Sequence, residues 1–176
     1  MIGETALIVQ VPEAEPFVRD LRGRFDFRSS DGVPAHITVL HPFVPYPVPR
    51  TSLDRLEQLF SRRDAFEYRL DGIGRWPDNL HLFPLPTDPF VALTKAVWAA
   101  FPAYPPYEGR FSDIVPHLSV AQGGTELLDE AESLLRQAMP PSGIAGVCRE
   151  ISLLVLTGST WEVTYRFPLR QSPARS

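Results

Sequence analysis

A chain of 176 residues is the size of one compact domain with room for a sizeable core, and 44% hydrophobic with 22% charged residues describes an ordinary globular protein. A formal net charge of −4 argues against the broad basic surface that duplex nucleic acid requires, and the single cysteine, Cys148, excludes an internal disulfide and a paired-cysteine metal site. No apolar run approaches the ~20 residues that span a bilayer, and Met1 leads into a strand-like stretch without a basic, cleavable leader, so a cytoplasmic protein without membrane contact is expected.

Along the chain, Thr5 to Val11 is a continuous apolar run rich in β-branched residues and predicts a buried strand. A helix is expected over Glu13 to Arg24, with Pro16 tolerated in its first turn. Residues 35–40 read as a strand. Thr51, followed by Asp54, predicts a capped helix whose apolar stripe is Leu53, Leu56, Leu59 and Phe60. Phe66, Tyr68 and Leu70 alternate, and Leu80, Leu82 and Phe83 follow, which suggests two strands about a turn at Gly72-Ile-Gly74. Thr87-Asp88-Pro89 starts a further helix through Phe90, Leu93, Val97 and Phe101, ended by Pro102. Residues 116–121 form another strand, Leu127 to Ala138 another helix, and Pro140-Pro141 stops it. Glu150–Leu156 and Thr160–Leu169 close the chain as two strands, with a free tail expected from about residue 170.

The element order repeats. His36 to Phe66 spans 30 residues and His117 to Arg149 spans 32, so each half reads strand, helix, loop, strand, helix, strand. The expected architecture is α+β: one domain over 1–176 made of two similar lobes, each an antiparallel-type sheet flanked by helices, related by a pseudo-twofold axis around a central cleft. Two proline-rich loops, 42–49 and 102–116, adjoin the strands at 35–40 and 116–121. They suit stiff cleft walls that offer Phe43, Tyr46, Tyr104, Tyr107 and Phe111 for stacking on a base.

Those two strands carry the chemistry. Each spells histidine, any residue, hydroxyl residue: His36-Ile37-Thr38 and His117-Leu118-Ser119. Side chains two apart leave the same face of a strand, so each histidine stands beside its hydroxyl. For one copy, a core histidine beside a good β-former is the simpler explanation; two copies at equivalent places, each after a proline (Pro34 and Pro116), reverse that judgement. Two imidazoles flanked by two hydroxyls suit acid–base chemistry on a phosphate ester. His41, an odd number of residues from His36, is expected on the opposite face or in a loop, and His81, alternating with Leu80 and Leu82, is expected to point outward. A four-histidine metal site is therefore not expected, and Asp113 reads as a loop cap. Of the 17 basic residues 16 are arginine, Lys95 being the exception, so local anion contacts fit the acidic total.

With His36-Ile-Thr38-Val-Leu before Pro42-Phe43, and Pro116-His117-Leu-Ser119-Val-Ala, the chain resembles the two-histidine (2H) phosphoesterase superfamily, including the 2′-5′ RNA ligase-like proteins and cyclic nucleotide phosphodiesterases. The resemblance runs over roughly residues 4 to 168. It implies two α/β lobes around a cleft, no metal or other cofactor, His36 and His117 as the catalytic pair, and Thr38 and Ser119 on the phosphate oxygens. The expected substrate is a small nucleotide or RNA end carrying a 2′,3′-cyclic phosphate or a 2′-5′ bond, handled by a monomer. Phe43, Tyr46, Tyr107, Arg110 and Phe111 are the candidate substrate contacts. Many relatives place a basic residue shortly after the second motif, where this chain has Ala121-Gln122-Gly123; Arg110, Arg75 or Arg166 is expected to supply that charge. The departure favours hydrolysis of a small cyclic ester over ligase-type action on polynucleotides. The rivals are a non-catalytic binder of nucleotides or RNA ends using the same cleft, and a metallohydrolase built on His36, His41 and His117.

Overall fold

A computed structural model describes residues 3–171, which form eight strands and four α-helices: β1 (Thr5–Gln10), α1 (Glu15–Phe25), β2 (His36–Leu40), α2 (Arg50–Ser61), β3 (Phe66–Trp76), β4 (Asn79–Leu85), α3 (Asp88–Ala100), β5 (Leu118–Gln122), α4 (Thr125–Ala138), β6 (Ile144–Cys148), β7 (Glu150–Thr157) and β8 (Thr160–Pro168). The strands make two antiparallel four-stranded sheets, ordered β2-β1-β7-β8 and β5-β4-β3-β6, with the helices flanking them. A histidine strand lies at the edge of each sheet, and β2 and β5 approach one another.

The lobes are not the two sequence halves. The C-terminal hairpin β7–β8 completes the sheet begun by β1 and β2, while β3 crosses to the other sheet beside β4. Helices cross as well. α1 leaves β1 but packs on β5 and α4, and α3 leaves β4 but packs on β2, where the Thr94 hydroxyl donates to the Val39 carbonyl at 2.8 Å. The apolar stripes Leu53/Leu56/Phe60 of α2 and Leu128/Ala131/Leu135 of α4 enter one continuous core fed by both sheets. β1 is buried on both faces: Leu7 and Val9 point into that core, while Ala6 and Ile8 join Leu154, with Val33, Trp161 and Val163, on the other side. Cys148 packs as a small hydrophobe, and burial pushes its thiol up to about 12.

Three details depart from the sequence expectations. β3 runs through Gly72 and Gly74, and the turn falls at Pro77-Asp78, because the Phe83 and His81 rings of β4 lie over those glycines; a Cβ would meet them at 1.8 and 2.3 Å. β6 is an additional edge strand on β3. Helix α2 begins at Arg50, behind Pro49, so Thr51 lies in the first turn and makes no cap bond. The chain stays fastened through Gln171: Arg170 donates its N–H to the Arg63 carbonyl at 2.7 Å and pairs with Asp64 at 2.6 Å, and Gln171 bonds to Arg149. The rest of the expected tail, 172–176, lies outside the described residues. Among the described residues no helix is long and apolar enough to cross a membrane.

Candidate active site

Strand alternation sets the site. Ile37 and Val39 of β2, and Leu118 and Val120 of β5, are fully or almost fully buried in the core, which turns His36, Thr38 and Ser119 to the opposite face; His117 stands just ahead of β5. His36, Thr38, His117 and Ser119 all line one cleft of about 430 Å³ between the sheets.

The two histidines are held by the same device. His36 Nδ1 donates to the Pro34 carbonyl at 2.8 Å and His117 Nδ1 to the Val115 carbonyl at 2.7 Å. A carbonyl only accepts, so Nδ1 carries the proton in each neutral ring and Nε2 is left with a lone pair. Burial keeps both rings neutral: it lowers His36 to about 4, against the raising effect of the Pro34 bond and with smaller contributions from Arg22, His117 and His41, and it lowers His117 below the usual histidine range.

Two further histidines reach the site: His41, in the loop after β2 as expected but turned to the cleft, and His81, contrary to expectation. His41 lines the cleft, its Nε2 2.7 Å from Glu4 Oε1 and its ring edge-on to Trp161. A β-bulge opposite Leu7 and Ile8 breaks the alternation of β2, so odd spacing from His36 does not send His41 to the far face. His81 is buried rather than outward, because the Trp76 and His117 rings cover its face of β4. Its ring lies 4.2 Å from Trp76 and 5.3 Å from His117, and it shares Asn79 with the second motif: His81 Nδ1 is 3.1 Å from Asn79 Oδ1, and Asn79 Nδ2 donates to Ser119 Oγ at 2.9 Å. Gly74→Ala drives a methyl into this ring; the expected cost is about 1–3 kcal/mol in denaturant unfolding, with displaced His81 and His117 imidazole resonances as the local readout.

The cation of the cleft is one that sequence reasoning missed. Arg22 is the single Lys or Arg lining it among the described residues, at 4% exposure. Its Nη2 donates to the Val33 carbonyl at 3.1 Å and its Nε lies 3.5 Å from Asp26 Oδ2. The signal was present: Val18, Arg22 and Phe25 share the buried stripe of α1, and an arginine at such a position demands a polar destination. The expected substitutes lie elsewhere. Arg75 holds Asp129 at 2.5 Å and Glu132 at 3.3 Å, Arg166 pairs with Glu150 at 3.2 Å, and Arg110 pairs with Glu108.

Of the candidate aromatic contacts, two reach the site region. Tyr107 lines the cleft and also a second cavity of about 480 Å³, which Trp76, Phe111, Asp113 and His117 help to line. Tyr107 and Glu108 hold positive φ of 52° and 57°, so the loop that presents this ring is strained. Phe43 is instead core, 2% exposed and edge-on to Phe101, with Tyr104 beside it, and Tyr46 is exposed without lining either cavity. The reason is backbone pairing. Phe43 and Tyr46 donate their N–H groups to the carbonyls of Thr5 and Gly3, and Thr5 Oγ1 donates to the Val44 carbonyl, which zips loop 42–49 along the start of β1. Arg110 is exposed and lines neither cavity. Among the described residues, no group of three or more His, Cys, Asp or Glu is arranged to hold a metal ion.

A family model described as the 2′-5′ RNA ligase superfamily matches residues 10–160. No curated protein matches the sequence. Among solved structures, the chain is similar to E. coli LigT complexed with 3′-AMP (TM-score 0.61, 17% identity, covering 96% of this chain and 98% of that one). It is similar to the same protein complexed with NADP+ (0.60, 18%, 97% and 99%) and to TT0787 of Thermus thermophilus (0.60, 18%, 97% and 100%). At such identities these likenesses are likenesses of fold.

Proposed function

The chain belongs to the 2′-5′ RNA ligase superfamily, and from that membership and the geometry of its cleft we propose that it is a metal-independent phosphodiesterase acting on 2′,3′-cyclic phosphates or 2′-5′ bonds of small nucleotides. The observation that carries the reading is the matched pair of imidazoles, one from each sheet, each pinned at Nδ1 and lining one cleft with a hydroxyl two residues on.

Opening a cyclic phosphate requires water to attack phosphorus while a ribose oxygen departs on the other side. One imidazole takes the water's proton at Nε2, and the other, protonated there, gives a proton to the leaving alkoxide. Thr38 and Ser119 donate to the non-bridging oxygens as charge accumulates on them. Arg22 supplies the positive field that Ala121-Gln122 does not. Glu4, Asp26 and Asp31 line the same cleft and outnumber that cation, which favours a substrate with a single phosphate centre over a polyphosphate strand. The second cavity, opening at His117 with Trp76, Tyr107 and Phe111 on its walls, suits a stacked base. E. coli LigT has been solved with 3′-AMP, NADP+ and ATP, and nucleotide ligands of that size fit this reading.

The test is an assay of purified protein in excess EDTA against 2′,3′-cyclic mononucleotides and 2′-5′ dinucleotides. Undiminished turnover in EDTA is expected. Saturable binding of every substrate with no product would transfer the cleft to a non-catalytic binder; turnover abolished by EDTA and restored by a divalent ion would replace the two-histidine mechanism by a metal-dependent one.

A further inference from the structure

Nearly every described arginine side chain has a partner. Nine stand in ion pairs with carboxylates, Arg69 donates to the Ser142 carbonyl and Arg149 to Gln171. Among the described residues, the three with neither an ion pair nor a hydrogen bond of this kind are Arg55, Arg62 and Arg63, and all three line the same pocket, about 450 Å³, with Gln58, Leu59 and Ala100. In a protein of net charge −4 this is a local concentration of uncompensated positive charge. It is built by helical spacing: Arg55, Gln58 and Leu59 of α2 and Arg62, which caps its C-terminal end, follow i, i+3, i+4, i+7, and the end of α3 contributes Ala100. The acid next in sequence, Asp64, is occupied by Arg170.

A second observation separates this pocket from an ordinary solvated face. Arg63 Nε is cut off from solvent and has no hydrogen-bond partner among the described residues. A buried donor left unpaired is costly, and an anion bound beside the same guanidinium offsets part of that cost through its charge. Arg55 is meanwhile set over the Phe101 ring, 5.4 Å from its centroid, which leaves its guanidinium edge for a ligand. The pocket shares no lining residue with the catalytic cleft; α2 and α3 pack on β8 and β2 respectively.

We propose that the α2–α3 pocket is a second anion site, distinct from the cleft, that takes a small ligand bearing two or more contiguous phosphates. Three arginine forks match the oxygens of adjacent phosphates better than the one charge of an isolated carboxylate. A chain phosphate of a long strand would engage an extended basic track, and Arg55, Arg62 and Arg63 form a closed cluster instead.

The experiment titrates inorganic pyrophosphate into the intact chain, following Arg Nε–H resonances and the heat of binding, with inorganic phosphate and a single-stranded oligonucleotide as separate arms. Saturable shifts of the Arg63 Nε–H signal are expected from pyrophosphate, with phosphate binding at least tenfold more weakly. In the Arg62→Gln/Arg63→Gln variant pyrophosphate affinity should fall at least tenfold while turnover in the cleft is unchanged; in Thr38→Ala/Ser119→Ala pyrophosphate binding at Arg63 should persist. The wild-type resonances decide the matter even if the arginine variant is poorly folded. Shifts confined to the cleft, no saturable shift at all, affinity unchanged in the arginine variant, or saturation by the oligonucleotide but not by pyrophosphate would each overturn the proposal. None of these outcomes depends on which substrate the cleft hydrolyses.

Discussion

His36→Ala and His117→Ala should each lower kcat on a 2′,3′-cyclic nucleotide by about 10²–10⁴-fold, with the fold intact by circular dichroism. The two losses should combine far below their product, because once one proton transfer is unassisted the second imidazole has little left to assist. The pH profile follows from the same geometry. Burial disfavours the imidazolium, so His36 stays neutral down to about pH 4 and His117 titrates below the usual histidine value. The kcat/KM profile reports the free enzyme, so its bell should centre on the acid side of 6.5. A bound phosphate anion favours protonation of both rings and opposes their desolvation, so the kcat bell should lie at higher pH than that of kcat/KM. Rates of both alanine variants close to wild type, or a kcat/KM profile whose acidic limb lies at or above 6.5, would remove the two-imidazole mechanism.

Local spacing made much of this architecture legible. The strands at 35–40 and 116–121, the helical stripes of α2, α3 and α4, and the shared face of each histidine and its hydroxyl follow from periods of 2 and 3.6 applied to short windows, while the meeting of the two motifs on one cleft was expected only from the repeated element order and the family resemblance. What stayed hidden depends on which strand lies beside which. Nothing in residues 66–76 reveals that Phe83 and His81 lie over Gly72 and Gly74, so those glycines read as a turn. Ile144-Ala-Gly-Val-Cys148 is short and weakly apolar, and becomes a strand because β3 offers it a free edge and Tyr68 needs the space above Gly146. The order of elements suggested lobes equal to the sequence halves, and only pairing shows β7 and β8 returning to β1. His41 lies in a loop, as expected, but its approach to the cleft and the burial of His81 were not foreseen: a bulge shifts the phase at the end of β2, and the Trp76 and His117 rings cover His81. Arg22 could have been found, since a lone arginine on a buried helical stripe points to an anion or a buried partner.

Asn79→Asp should lower kcat/KM by about 10²-fold, although Asn79 is no part of either motif. In the native site the amide nitrogen of Asn79 donates to Ser119 Oγ at 2.9 Å, while its oxygen faces His81 Nδ1 at 3.1 Å. Burial pushes His81 down to about 4, so the ring is neutral, and the amide oxygen opposite requires the proton to sit on Nδ1. The chain of donors then runs His81 to Asn79 to Ser119, and the serine's own hydrogen is free to point at a phosphate oxygen. A carboxylate at 79 only accepts. It draws the serine hydrogen away from the cleft, turns lone pairs toward the phosphate and adds a negative charge nearby; loss of one charge-assisted hydrogen bond, ~1.5–3 kcal/mol, already accounts for about 10- to 150-fold. The same carboxylate favours the His81 imidazolium, so the His81 titration seen by NMR should move upward in Asn79→Asp, an effect that loosened packing does not produce. Asn79→Ala should cost less, and in a Ser119→Ala background it should cost almost nothing further, because its influence passes through that hydroxyl. Losses that simply add in the double variant would show that Asn79 acts on the substrate or the fold directly, and the oriented-serine account would fail.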